Sequence, residues 1–229
     1  MSHRTLPPWS AGREEAFPLI AATLVIVLAM LCRAPTAFGD DATVLANCPV
    51  EGDTAVATVQ HLNVLKRRMT IPSAADMDYS VTMAALTLPG DDTTRWNAAK
   101  GATIEGYVAG VKVGGVESVN CHTHQTAYRD THIELTLKPN GNDETTYVIV
   151  EVTPQVRQRM AAGGTDWSTA TLRKQLLGKW IQVTGWLLFD LEHAENAANT
   201  NPGGRHNWRA TVWEVHPITS ITVLPGKPK

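Results

Sequence analysis

From Gly101 onward the chain keeps a two-residue rhythm, interrupted once by a helical stretch. GATIEGYVAGVKVGG sets Ile104, Gly106, Val108 and Gly110 against Glu105, Tyr107 and Ala109. RDTHIELTLK sets Ile133, Leu135 and Leu137 against Asp130, His132 and Glu134, and TYVIVEVTP sets Val148, Val150 and Val152 against Tyr147, Ile149 and Glu151. KWIQVTGWLLFD and NWRATVWEVHPITSITVL follow. Successive strand side chains point to opposite faces, so this alternation predicts five strands with one face on a core. Asn140-Gly141 supplies the turn between the second and third strands, which should form a hairpin. Between the third and fourth, Leu172, Leu176 and Leu177 fall on one side of a predicted helix within 155–177. Ser168 or Thr169 is placed to cap its start and Gly178 to close its end.

The order strand, strand, strand, helix, strand, strand resembles an OB-fold, a five-stranded Greek-key barrel with a helix between the third and fourth strands. The resemblance covers residues 101–224 and predicts a mainly β protein. Glycines in the first strand suit it to coil around such a barrel. Residues 40–100 are too short and polar to bury a core of their own. They are expected to be an N-terminal extension packed on the barrel, with an amphipathic helix over 55–70 whose apolar stripe is Val56, Val59, Leu62, Leu65 and Met69. MDYSVTMAALTLPGDD is compatible with helix or strand, and 225–229 is a tail. Gly106–Val108, Gly114–Cys121, Arg129–Leu135, Val183–Asp190 and Trp213–Pro217 also resemble recurring phrases of a group of exported bacterial proteins of unassigned function. That resemblance implies fold and export, and no activity.

Phe17–Cys32 is an almost unbroken apolar run with charges before it and Arg33 after it. Ala37-Phe38-Gly39 offers small residues at a cleavage position. Residues 1–39 therefore have the layout of an export signal, which predicts a periplasmic or secreted protein beginning at Asp40. An uncleaved membrane anchor through residues 17–32, or lipidation at Cys32, are the alternatives. Cys48 and Cys121 remain, and oxidising surroundings predict that they pair; two unpaired buried thiols are the other option. The net charge of −2 argues against broad nucleic-acid binding, which needs a basic field.

If the alternating apolar residues face inward, His132, Glu134, Glu151, Glu214, His216, Glu105 and Tyr107 lie outside the core. Among these, His132, Glu134, Glu151 and His216 form a candidate divalent-metal set, with zinc or manganese as the cofactor. Arg129, Arg157, Arg159, Arg205 and Arg209 are available to pair the acids instead. A second candidate region is the polar loop 190–208. Trp186, His193, Asn196, His206, Trp208 and Arg209 are its candidate ligand-binding residues, since OB-folds bind oligomers across the second and third strands and this loop. The leading expectation is an exported binding module for a glycan, nucleic acid or protein partner. The alternatives are a metal-dependent hydrolase, such as a phosphoesterase, and a structural envelope protein.

Overall fold

The computed structural model describes residues 40–139 and 141–228. The proposed export segment, the Phe17–Cys32 run and Cys32 lie outside those residues. Among the described residues no helix is long and apolar enough to cross a membrane. The longest helix among the described residues, Ala57–Lys66, has 10 residues, about half of what a span requires. The alternative of membrane anchoring is corrected to this extent: no described residue offers a membrane-spanning helix.

The elements are α1 (Asp41–Ala46), α2 (Ala57–Lys66), α3 (Met83–Leu86), β1 (Gly101–Val113), β2 (Thr131–Thr136), β3 (Val148–Val152), α4 (Pro154–Ala162), α5 (Thr169–Leu176), β4 (Trp180–Phe189) and β5 (Trp213–Val223). The strands close into a barrel in the order β1-β2-β3-β5-β4. β3 and β5 run parallel through Val150↔Val215, and the other pairings are antiparallel. This is an OB-fold-like mixed barrel with helices between β3 and β4 and a helical extension before β1.

Local chemistry sets the element ends. Thr153 caps α4 through the Val156 N–H, with Pro154 in the first turn. Ser168 caps α5 through the Thr171 N–H. The single helix expected within 155–177 is two, because Gly163-Gly164 intervenes and Gly164 takes a positive φ of 81° that stops α4. The segment left open between helix and strand holds the short helix α3, capped by Thr82.

The barrel core contains Ile104, Val108, Val111, Ile133, Leu135, Val148, Val150, Val152, Ile181, Val183, Leu187, Trp213 and Val215, with Leu172 and Leu176 of α5 closing one end. The alternation in β2, β3 and β5 therefore predicts the inward faces. In β1 a register shift between Val108 and Gly110 changes the phase, sending Val111 inward and Lys112 outward. Gly110 lies opposite Glu134, where an added Cβ would overlap the Glu134 carboxylate.

The extension packs on the barrel and contributes Val81, Met83 and Leu86 to its core cluster. The buried positions of α2 are Leu62, Asn63 and Lys66, while Val56 is exposed. The apolar stripe expected on this helix is thus rotated, and a lysine is drawn into the interface. The Cys48–Cys121 disulfide, with Cα atoms 5.8 Å apart, ties the extension to the β1–β2 connection.

Candidate metal and acid–base site

The outer face of β2, β3 and β5 carries acids and imidazoles that are covered rather than exposed. His132 and Glu151 are direct cross-strand partners, and His132 Nδ1 lies 3.0 Å from Glu151 Oε1. Because β5 runs beside β3, His216 and Glu214 reach the same layer. His216 Nδ1 is 3.1 Å from Glu214 Oε2 and 3.9 Å from Glu151 Oε2, and its Nε2 is 3.1 Å from Asp130 Oδ2. Asp130 also accepts from Asn120 Nδ2 at 2.9 Å. Glu134 sits at the edge, paired with Lys112 at 2.5 Å and 3.9 Å from His132.

The layer continues under the β4–β5 connection. Arg209, fully buried, gives Nη2 to Glu214 at 2.6 Å and Nε to the Thr211 carbonyl at 2.7 Å. Asp190 lies 3.9 Å from Arg209 Nη1, an ion-pair distance, and 2.6 Å from His193 Nδ1. Lys66 of α2 enters from the other side, 2.8 Å from Glu117 and 4.0 Å from Asp190.

Burial and charge compete throughout this layer. For His216 burial disfavours the charge, but the hydrogen bonds to Asp130 and Glu214 and the nearby Glu151 prevail and raise it to about 10. Both ring nitrogens face carboxylates, so the geometry favours the imidazolium. Burial also opposes the charges of Asp130 and Glu214. His216 and Asn120 nevertheless hold Asp130 below the ordinary carboxylate range, and Arg209 does the same for Glu214. Lys66 loses to burial but gains more from Glu117, Asp190 and Glu214, and is held well above its usual value.

Two groups have metal-ligating atoms close together: Asp130, Glu151 and His216; and Asp190, His193 and Glu214. Their surroundings differ. The second already holds Arg209 and Lys66 against its acids. In the first, Asp130 Oδ2 and His216 Nε2 face each other at 3.1 Å, while Glu151 Oε2 is buried with no hydrogen-bond partner among the described residues. Two carboxylates and an imidazole are a donor set for zinc or manganese, and an ion there would replace the His216 proton.

A cleft of about 420 Å³ opens beside this group. Glu117, His132, Glu151, His193 and Trp208 line it, with Lys112 at its edge. Trp208 stands between the two imidazoles, 5.5 Å from the His132 ring and 5.2 Å from that of His193.

The residues expected to act as ligands divide by position. His132 and Glu151 line the cleft, His216 lies beneath it and Glu134 at its margin. Of the loop set, His193 and Trp208 line the cleft, Arg209 is sealed below it, and Asn196 contributes its carbonyl to the Trp208 N–H. His206 is exposed, and Trp186 gives Nε1 to the Thr70 carbonyl under Arg68. Glu105 pairs with Gln182 on the β1–β4 side. Among the arginines, Arg209 pairs with acids, whereas Arg129, Arg157 and Arg159 donate to backbone carbonyls. Sequence reasoning missed Lys66, Glu117 and Asp190, which come from α2, the β1–β2 connection and the position just after β4. Asp130 was legible, since it shares the alternation of His132 and Glu134.

Fold and site together define an OB-fold-like barrel with a covered carboxylate–imidazole centre beside an open cleft. Comparison with protein-family models and with curated protein sequences finds no match for this chain.

Proposed function

We propose that the protein is a divalent-metal-dependent hydrolase, with Asp130, Glu151 and His216 as metal ligands. The observation that carries the reading is the convergence of buried ligand atoms from Asp130, Glu151 and His216, with Glu151 Oε2 lacking a hydrogen-bond partner among the described residues. A buried polar atom in that condition costs free energy unless something satisfies it. Three protein ligands leave further coordination positions, and a metal in that state activates water and polarises a bound oxygen. Glu151 joins this centre to the cleft. One of its oxygens is directed at the ligand group, and the other is fixed by His132, which orients it as an outer-shell partner orients a ligand. Lys112 and His193, each beside a carboxylate, are the basic groups of a cleft wall that also holds Glu117 and Glu192, and the substrate class proposed is a phosphoester whose charge a metal would share.

The test is metal analysis of the full chain, purified oxidised and without chelator, before and after loading with zinc or manganese. Stoichiometric metal that is lost in Glu151→Gln, with hydrolysis of aryl phosphates that follows the metal, is the expected result. A protein that takes up neither metal sinks the reading.

One observation favours a second reading, that of a binding module. The His216 imidazolium between Asp130 and Glu214 balances part of the layer with no metal, and Trp208 offers an aromatic wall in the cleft. Metal-independent capture of a glycan would support it. The kinship with the bacterial proteins whose phrases the chain shares is part of the proposal too. The Cys48–Cys121 bond supports it, because such cross-links persist where thiols are oxidised.

A further inference from the structure

The N-terminal extension makes several specific contacts to one short segment of the barrel. The segment is 117–121, where Ser118–Asn120 form a 3₁₀ turn in the β1–β2 connection. Cys48 is bonded to Cys121. The Asp53 N–H donates to the Ser118 carbonyl at 2.9 Å, and Asn63 Nδ2 donates to Ser118 Oγ at 3.0 Å. Gly52 packs so closely on Ser118 that a Cβ there would overlap its carbonyl. Lys66 Nζ donates to Glu117 Oε2 at 2.8 Å, with the lysine side chain only 2% exposed. A barrel that merely needed its outer face covered has no use for so many specific contacts to five residues. Their joint effect is to fix Glu117, which lines the cleft.

Resting on the hydrolase reading, we infer that Glu117 is the acid–base carboxyl of the cleft and that Lys66, carried by the extension, is its positioning residue. Oε2 is held by Lys66. Oε1 makes no hydrogen bond among the described residues and lies on the Gly115 side, in the wall of the cleft. The Glu117 side chain is 24% exposed, so it meets the cleft while its anchor does not. Charged groups surround it: Lys66 from α2, Lys112 from β1, Asp130 ahead of β2, Glu151 from β3, and Glu192 and His193 from the β4–β5 connection. Burial pushes this carboxyl up, Lys66 draws it down, and Glu151 and Asp130 push it up again, to about 7. A carboxyl in that range both gives and takes a proton near neutrality, as general acid catalysis requires.

The step balances as follows. Water adds to phosphorus while the bond from phosphorus to the leaving oxygen breaks. The bonding pair goes to that oxygen, which takes the proton from Glu117 Oε1 and departs as an alcohol. The proton shed by the attacking water restores Glu117 for the next turnover.

The test uses the metal-loaded full chain with two substrates, phenyl phosphate and 4-nitrophenyl phosphate. The first has a poor leaving group that needs a proton, the second a good one that does not. Glu117→Gln is expected to lower kcat for phenyl phosphate by about 10²- to 10⁴-fold, to affect 4-nitrophenyl phosphate far less, and to leave metal affinity unchanged. Lys66→Met is expected to move the Glu117 limb of the pH–rate profile upward, and Lys66→Arg to keep it in place. Equal losses on both esters in Glu117→Gln, no loss on either, or an unmoved limb in Lys66→Met would overturn the inference. Should Lys66→Met fail to fold, Glu117→Gln and Lys66→Arg still decide. A wild-type protein that binds no metal or cleaves neither ester sinks the hydrolase reading first, and that result is visible before any variant is made.

Discussion

Glu151 and His132 face each other across the β2–β3 ladder, with the carboxylate oxygen 3.0 Å from Nδ1. The pair joins the buried centre to the open cleft, since both residues line the cleft and the second oxygen of Glu151 turns toward His216. Replacing His132 by Ala should leave the barrel intact and loosen Glu151. Loss of an outer-shell partner of this kind costs about 10- to 100-fold in metal affinity. Isothermal titration with zinc would read that drop, and an unchanged affinity would show that His132 has no part in holding the ligand.

Arg209 holds the β4–β5 connection to the barrel from a fully buried position. Arg209→Leu keeps the volume and removes the charge, leaving Glu214 and Asp190 short of a cation. Breaking a buried pair by removing one partner costs about 3–5 kcal/mol. Urea unfolding should show a midpoint lowered accordingly, and the double change Arg209→Leu with Glu214→Leu should recover part of the loss. No recovery would mean that Arg209 acts mainly through the Thr211 carbonyl.

The Cys48–Cys121 bond joins residues 73 apart in sequence. Its removal in the Cys48→Ser, Cys121→Ser protein should cost about 2–5 kcal/mol. The local consequence is more diagnostic. Amide hydrogen exchange should accelerate over 114–130, the stretch that carries Glu117 and Asp130, more than in β4. Uniform acceleration would place the effect on global stability alone.

Stability should also follow pH through the Asp190–His193 pair. Burial opposes the Asp190 charge, but Lys66, His193 and Arg209 outweigh it and hold the carboxyl below its ordinary value. Its contribution is therefore complete above the unfolded value of about 3.9 and lost as pH falls through the folded one. Burial likewise opposes the His193 charge, but Asp190 prevails and raises it. That contribution is complete below about 6.5 and lost as pH rises through the folded value. The pair thus contributes most between about pH 4 and 6.5. Chemical denaturation across pH should show this plateau, and His193→Gln should flatten its alkaline side. A variant with the wild-type profile would remove His193 from the account.

What the sequence determined by itself is the barrel. Period-two alternation needs only neighbouring residues, and in β2, β3 and β5 it separated Ile133, Leu135, Val150 and Val215 from His132, Glu151 and His216. It failed in β1, where the register shift after Val108 is a property of the pairing with β2 and not of β1 alone. In α2 periodicity was right only in part: Leu62 of the apolar stripe is buried and Val59 and Leu65 half-buried, but the buried face also holds Lys66, because acids on another element make a lysine the more stable neighbour. Tertiary structure alone decided that outward does not mean exposed. Closure of the barrel set β5 beside β3 and brought Glu151 to His216, and the extension and the β4–β5 connection then folded over them. Charge and burial at that centre are sums over residues far apart in the chain, so no local pattern could carry them.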